Sequence, residues 1–96
     1  MDRGTPDPTT GLRPSVMAFA RLMELKLAAN DDAKPHWKQD GLSVTWAHLQ
    51  REVVELFDSF ESGTPRDMAL EAADVGCLAM MIADITGGLY QPAPHP

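Results

Sequence analysis

The sequence predicts an all-α protein, a small bundle with three main helices per chain that is completed by oligomerisation. Apolar residues recur at helical spacing in three segments, and start and stop signals bracket these segments. No segment shows the sustained alternation of apolar and polar residues that marks a half-buried strand. A chain of 96 residues forms one small domain that buries a modest share of its surface alone, so its wide apolar faces predict partner subunits.

The first helix is predicted to begin near Ser15, an N-cap residue that follows a proline, and to end near Asn30. Its apolar side chains recur every three or four residues: Val16, Phe19, Ala20, Met23 and Leu27. Prolines and a glycine interrupt the chain before this helix, and three more prolines stand at the end of the sequence. We therefore predict a flexible tail over 1–14, the folded domain over 15–90 and a second flexible tail over 91–96.

A long loop is predicted between the first two helices, from Asp31 to Gly41, in the sequence DDAKPHWKQDG. Joining two helices usually takes only a few residues, so the length and composition of this loop indicate a binding role. The second helix is predicted to begin near Ser43 or Thr45 and to stop at Gly63. One apolar stripe with helical spacing is expected to pack into the core: Trp46, Leu49, Val53, Leu56 and Phe60.

The start of the third helix carries the clearest signal in the chain. Thr64 is the predicted N-cap, Pro65 occupies the first helical position, and Asp67 completes a capping box. Strong helix formers follow in MALEAADVGCLAMMIADIT, until the two glycines at 87–88 end the helix. Cys77, the one cysteine, lies in this apolar stretch and is predicted to be a buried free thiol, which fits a reducing compartment.

The composition argues against some partners and leaves others open. The net charge of −6 argues against nucleic acid as the main partner, because binding a phosphate backbone needs a basic surface. A nucleotide stays open as a ligand, since cations bound between acidic groups can bring a polyphosphate in. No apolar run approaches the roughly 20 residues of a membrane span, and the polar start lacks a signal-peptide pattern. The sequence therefore predicts a cytoplasmic protein without a membrane partner.

Two pairs of carboxylates lie on consecutive helices. Glu52 and Glu55 belong to the second helix, and Glu71 and Asp74 belong to the third, and the two members of each pair are three positions apart. Residues with that spacing share one face of a helix. If the helices pack antiparallel through the turn at 62–65, the two pairs face each other at matching levels.

The acidic pair of the third helix is predicted to point into the bundle. At roughly 100° per residue, Glu71 and Asp74 fall on the apolar stripe of this helix, whereas Asp84 falls on the opposite face as a surface or subunit contact. Buried carboxylates are costly, and four together repel, unless a cation compensates them. A solvated face is the alternative for either pair alone. Two facing pairs favour Mg²⁺ or Mn²⁺, because the histidines lack the spacing of zinc or di-iron sites.

At these residues the sequence resembles a known family. Glu52-x-x-Glu55 followed by Glu71-x-x-Asp74 is similar to the signature of the all-α NTP pyrophosphohydrolases, the MazG-like and dimeric dUTPase-like superfamily. That signature is written EExxE, a linker, then ExxD, and Arg51 stands here where the family has its first Glu. The short length and the run MELKLAAND…HWK look like compact, phage-encoded members, some of which act on deoxypurine triphosphates such as dGTP.

The resemblance implies an oligomeric helical enzyme that hydrolyses a (deoxy)nucleoside triphosphate, with dGTP as one candidate, to the monophosphate and pyrophosphate. It implies Mg²⁺, or Mn²⁺ in its place, bound by the four acids Glu52, Glu55, Glu71 and Asp74. A phage-encoded member would work in the host cytoplasm. The departure at Arg51 leaves open how many metals bind and whether Glu52 or Glu55 is the catalytic general base.

Six further side chains are candidate substrate-binding residues: Asn30, Lys34, His36, Trp37, Lys38 and Arg51. The cations suit the leaving phosphates, with a solvated surface charge as the alternative for each, and the other three suit a base. Trp37 has two interpretations, because its indole either stacks on the base or anchors the loop. His48 lies one turn before Glu52 and is a candidate for supporting that carboxylate.

Two other functions fit the sequence less well. A non-catalytic helical interaction module would use the acids to dock a basic partner, but docking charges should face outward. A third interpretation keeps the hydrolase and changes the bond, with a diphosphate or a phosphomonoester as the substrate.

Overall fold

A computed structural model describes residues 3–31 and 37–91 of the chain. The helices are α1 over Pro14–Ala28, α2 over Trp37–Ser62 and α3 over Pro65–Ile85, followed by a short 3₁₀ turn over Gly88–Tyr90. The described residues contain no strand, so the predicted all-α class with three main helices is confirmed. In this part of the chain no helix has the length and apolar character needed to cross a membrane.

The helix α1 begins one residue before the position predicted from Ser15. Pro14 lies in the first helical turn, where its missing N–H leaves no bond unmade, and Arg13 precedes it without a side-chain cap. The Ser15 hydroxyl does not cap the helix, because it donates a hydrogen bond to the Arg3 carbonyl at 3.0 Å. Arg13 Nε also donates to the Gly4 carbonyl at 2.8 Å. The residues before α1 are therefore hydrogen-bonded to the start of this helix.

The helix α2 begins earlier than predicted, and a glycine divides it. Residues 37–40 form a helical turn, and Gly41 then leaves the helical conformation with φ 84° and ψ 173°. Glycine adopts these backbone angles readily, and other residues do so only under strain. The longer part of α2 therefore begins directly after Gly41, close to the predicted start near Ser43 or Thr45, whereas the predicted loop is wrong for residues 37–40, which are helical. The rest of that loop, 32–36, lies outside the described residues.

The start of α3 agrees with the prediction. The Thr64 hydroxyl accepts a hydrogen bond from the Asp67 backbone N–H at 3.1 Å, and Asp67 Oδ2 accepts one from the Thr64 backbone N–H at 3.0 Å. This capping box is confirmed, with Pro65 in the first turn. Only residues 63–64 separate α2 from α3, so these two helices form an antiparallel hairpin.

The helix α3 is central, because α1 and α2 both pack against it and do not approach each other closely in the described part of the chain. The helix α1 crosses α3 at Gly76, where an added Cβ would lie 2.7 Å from the Phe19 ring. The Cys77 thiol, buried as predicted, donates to a backbone carbonyl of α1. A groove is left between α1 and α2, and Leu78 and Met81 of α3 line it.

The apolar stripe predicted for α2 does not pack into a core as a whole. Trp46, Val53 and Phe60 are 52%, 47% and 61% exposed, so the prediction is wrong for these three. The helix is rotated so that its less exposed residues form the face against α3: Thr45, Leu49, Glu52, Leu56 and Ser59. Large apolar residues of α2 therefore remain in contact with solvent, and we call five of them, which recur at helical spacing, the outer stripe: Leu42, Trp46, Val53, Phe57 and Phe60.

The core is small for a chain of this length. Among the described residues, the buried apolar side chains are Ala73, Cys77 and Leu78. The accessible surface is 7191 Å², against about 5400 Å² expected for a compact monomer of this mass. The Cα radius of gyration is 15.1 Å, against about 12 Å for a compact domain. The single chain is therefore an open structure that keeps more surface than a self-contained domain.

Candidate metal centre and adjoining cleft

Three of the four acids predicted to bind metal converge between α2 and α3. Glu52 and Glu55 come from α2 and Glu71 comes from α3, and one carboxylate oxygen of each lies within 4.8 Å of the other two. The antiparallel hairpin explains this arrangement, because Glu55 and Glu71 lie at similar distances along the chain from the turn at 63–64. We call these three residues the acid cluster.

Two oxygens of the acid cluster are buried and unpaired. Glu52 Oε2 and Glu71 Oε2 are almost inaccessible to solvent, and neither has a hydrogen-bond partner. Burying a carboxylate oxygen without a donor or a cation is costly. Buried unpaired oxygens on carboxylates that converge in this way suit a hard divalent cation, so the residues present fit a metal on grounds separate from the motif.

Glu52 is the most strongly perturbed acid of the cluster. The pKa of Glu52 is raised from 4.5 to about 7, mainly by burial and in addition by a shared hydrogen bond with Glu55 and by the negative charges of Glu55, Asp74 and Glu71. Burial also raises the pKa of Glu71, as do the charges of Asp74 and Glu55, while Lys26 acts in the opposite direction. These groups therefore retain protons at a higher pH than ordinary carboxyls do.

Asp74, the fourth acid, lies beside the acid cluster and pairs with a lysine. Its Oδ2 is 3.2 Å from Lys26 Nζ, which reaches across from α1. Asp74 is not among the residues whose oxygens converge. Its charge nevertheless raises the pKa of both Glu52 and Glu71. The structure therefore places Asp74 at the edge of the site, and its part as a metal ligand stays a prediction.

Two side chains flank the acids. His48 Nε2 lies 3.3 Å from Glu52 Oε1, as its position one turn earlier suggested. Lys26 was missed by the sequence reasoning, because only the crossing of α1 over α3 brings it to Asp74. One sequence signal could have indicated Lys26. It lies four residues before Asn30, a candidate substrate-binding residue, and residues four apart share a helix face.

A cleft adjoins the acid cluster in the groove between α1 and α2. Its inner part, of about 170 Å³, is lined by Lys26, Glu52 and Asp74 among others. Its outer part, of about 320 Å³, extends toward the start of α2, where Trp37 and Asp40 line it. Both parts share a mixed wall: Leu27, Asn30, His48, Leu78 and Met81. An apolar cleft with a few polar groups and this volume is typical of a small-molecule site.

The six predicted substrate-binding residues are distributed unevenly around this cleft. Asn30 lines both parts, and its amide donates to the Lys26 carbonyl at 3.1 Å. Trp37 lines the outer part. Lys38 and Arg51 are exposed and do not line the cleft. The remaining two lie outside the described residues: Lys34 and His36.

Asp84 has a different place from the predicted surface or subunit contact. Its side chain is only 10% exposed. Its Oδ2 accepts a hydrogen bond from Trp37 Nε1 at 2.9 Å and lies 3.9 Å from Lys38 Nζ. The indole of Trp37 therefore anchors the start of α2, in agreement with one of its two interpretations, and its ring also lines the cleft.

Comparison with known proteins adds no support for the resemblance to a family. No protein-family model, no curated protein and no solved structure matches this chain. The likeness to the MazG-like superfamily therefore depends on the two carboxylate motifs and on the helices that carry them.

The metal-free protein is expected to lose stability as the pH rises from 4.5 to about 7. The pKa of Glu52 is higher in the folded state than in the unfolded state. The contribution of this group to the free energy of unfolding is therefore fully present at a pH below the unfolded pKa, where both states hold the proton. This contribution is lost as the pH rises through the folded-state pKa. Melting temperatures in EDTA across this window test the effect. The Glu52→Gln variant should show a flatter profile, and Glu61→Gln, an exposed acid of α2, should keep the parent's profile. Equal profiles for the parent and Glu52→Gln would contradict this assignment.

Proposed function

We propose that this chain is a Mg²⁺-dependent nucleoside triphosphate pyrophosphohydrolase of the MazG-like type. It would convert a (deoxy)nucleoside triphosphate to the monophosphate and pyrophosphate, with dGTP as the first substrate to test. The observation that carries the proposal is the acid cluster, whose two buried oxygens lack partners, directly beside a cleft of small-molecule size. Phosphoryl transfer requires mainly positioning and charge stabilisation, and carboxylates that bind metal supply both.

The acids of α2 and α3 would hold the metal. Glu52, Glu55 and Glu71 offer converging oxygens, and Asp74 is the fourth ligand that the motif implies. An all-oxygen set of this kind suits Mg²⁺, and Mn²⁺ could substitute. When bound, the ion neutralises charge on the phosphates and lowers the pKa of a bound water.

Glu52 is the acid best placed to take the proton of the attacking water. Its carboxyl is half-buried beside the cleft and contacts His48, so it can accept a proton and pass it on, as a general base does. The water oxygen attacks the α-phosphorus, the bond to the bridging oxygen breaks, and pyrophosphate leaves. The water proton passes to the carboxylate, and His48, 3.3 Å from Glu52 Oε1, can relay it toward solvent. Glu55, which is more exposed, is the second candidate for this role.

The cleft would orient the rest of the substrate. Lys26 of α1 lies beside the acid cluster and would provide a cation for the phosphate chain. The sequence had suggested Lys34, Lys38 and Arg51 for this role. The outer part of the cleft, with Trp37 and Asn30 in its wall, has space for a base. The alternative, a non-catalytic interaction module, is disfavoured because the side chain of Glu52 is only 16% exposed and offers little charge to a partner.

A second copy of the chain would cover the outer stripe of α2. The surplus of accessible surface over a compact monomer is larger than the about 800 Å² that each partner buries in a standard interface. The stripe is apolar, and its members recur at helical spacing along one helix, which suits packing against the same stripe of a partner. We place this homo-oligomer in the cytoplasm, where nucleoside triphosphates are available.

With Mg²⁺, the purified protein is expected to convert at least one common NTP or dNTP to its monophosphate and pyrophosphate, as measured by chromatography of the products. Glu55→Gln and Asp74→Asn should each lower the rate by at least about 100-fold, because each removes a charged oxygen from the metal site. Asp58→Asn, an exposed acid of α2, is the matched control and should keep the parent's rate.

Two results would count against the hydrolase. Orthophosphate in place of pyrophosphate would mean that a different bond is cleaved. No turnover of any triphosphate, with Mg²⁺ or Mn²⁺, would leave the interaction module as the better account.

Light scattering is expected to give a mass at least twice the 10.5 kDa of one chain. Phe57→Asp places a charge in the outer stripe at a side chain that is 65% exposed, so it should shift the protein toward monomer and lower its melting temperature. Tyr90→Asp changes an even more exposed aromatic residue away from α2 and should keep the parent's mass. A parent that is monomeric at micromolar concentration would contradict the proposed assembly.

A further inference from the structure

We propose that Asp84 is a positioning residue that holds the Trp37 indole in place as a wall of the cleft. The identity of the substrate in this proposal rests on the proposed function. Trp37 Nε1 donates a hydrogen bond to Asp84 Oδ2 at 2.9 Å, between residues 47 apart in the chain. Lys38 Nζ lies 3.9 Å from the same oxygen. One carboxylate of α3 therefore contacts two consecutive residues at the start of α2.

The position of Asp84 is unfavourable for its own helix. Asp84 lies in the last turn of α3, which ends at Ile85, and the negative end of the helix dipole disfavours an acid there. Its side chain is only 10% exposed, so water does little to offset this effect. The hydrogen bond from Trp37 compensates the carboxylate, which points to a tertiary role rather than to stabilisation of α3.

The turn that carries Trp37 is set apart from the rest of α2. Gly41 breaks the helix with φ 84° and ψ 173°, so continuous helical hydrogen bonding does not fix the direction of residues 37–40. Side chains fix it at both ends. Asp84 holds Trp37 at one end, and the buried Thr45 hydroxyl donates to the Gly41 carbonyl at 2.8 Å at the other.

This fixed turn forms one wall of the outer cleft. Trp37 and Asp40 both line the cleft, while Asp84 does not. An indole provides a flat apolar face against which a nucleobase can stack. Asp84 therefore acts on the substrate through Trp37, and the acid cluster holds the phosphates independently. Loss of Asp84 should weaken substrate binding and leave the chemical step unchanged.

Fluorescence of Trp37 tests the positioning without any substrate. In a Trp46→Phe background, Trp37 is the one remaining tryptophan. Asp84→Leu removes the hydrogen-bond acceptor, whereas Asp84→Asn removes the charge and keeps an amide oxygen that can accept the bond. We expect acrylamide quenching of Trp37 to increase at least about twofold in Asp84→Leu and to stay near the parent's value in Asp84→Asn, because only the first loses the bond.

Two quenching results would overturn the proposal. Equal quenching in the parent and in Asp84→Leu would mean that Asp84 does not hold the indole. An equal increase in both variants would mean that the charge, through Lys38, and not the hydrogen bond holds the turn.

Kinetics test the consequence for the substrate, using the triphosphate that the parent hydrolyses best. Asp84→Leu is expected to raise KM about tenfold and to leave kcat within about twofold, because the binding wall moves and the acid cluster does not. Trp37→Phe should raise KM similarly, and adding Asp84→Leu to it should have no further effect. Asp84→Asn should behave as the parent. A fall in kcat at unchanged KM, or additive effects in the double variant, would overturn the proposal.

The quenching experiment and the kinetic experiment can fail independently of each other. If the parent hydrolyses no triphosphate, the proposed function fails and the nucleotide role of the cleft fails with it. The quenching result would then still decide whether Asp84 holds Trp37.

Discussion

The rest of the structure depends on one constraint, the placement of the Glu52 and Glu71 carboxylates between α2 and α3. A helix hairpin of this size would ordinarily bury its largest apolar side chains at that interface. Here α2 is rotated so that Glu52 lies on the packed face, and residues such as Phe57 and Phe60 remain exposed. The interface therefore combines small side chains, two leucines and an acid, and it contributes less hydrophobic stabilisation than the composition of α2 allows.

This arrangement connects the acid cluster with the open shape of the chain. Because α1 and α2 both pack on α3 and not on each other, a groove stays open between them above Leu78 and Met81. The same rotation of α2 that aims Glu52 toward α3 turns the outer stripe toward solvent. In the account proposed above, a divalent cation offsets the electrostatic cost of the acids, and a second copy of the chain offsets the small core. Both of these partners would stabilise the folded state by mass action.

Local signals in the sequence were sufficient for part of this structure. The capping box of Thr64 and Asp67 is encoded within four residues, and the two carboxylate pairs are encoded by spacing on consecutive helices joined by a short turn. The sequence therefore predicted the three helices and the approach of Glu55 to Glu71. The prediction that the apolar stripe of α2 packs into the core was wrong for its largest members. Periodicity identifies such a stripe but does not show whether a helix of the same chain or a partner covers it.

Tertiary contacts determine what the sequence did not reveal. The pair of Lys26 with Asp74 depends on the crossing of α1 over α3, and the bond from Trp37 to Asp84 joins residues far apart in the chain. The helical turn before Gly41 resembles a loop in composition, and the residue of α3 that it contacts, Asp84, lies far away in the sequence. The residue pattern of a single segment does not predict these contacts.

Binding of a divalent cation by the acid cluster is the central claim, and anomalous diffraction from crystals soaked in Mn²⁺ tests it most directly. We expect an anomalous peak about 2.0–2.4 Å from carboxylate oxygens of Glu52, Glu55 and Glu71, and loss of that peak in Glu71→Gln. Absence of a peak in the parent at neutral pH, with the three carboxyl groups still in contact, would contradict the claim. The buried oxygens would then be compensated by a proton on Glu52, and the site would have no metal on which to base hydrolysis.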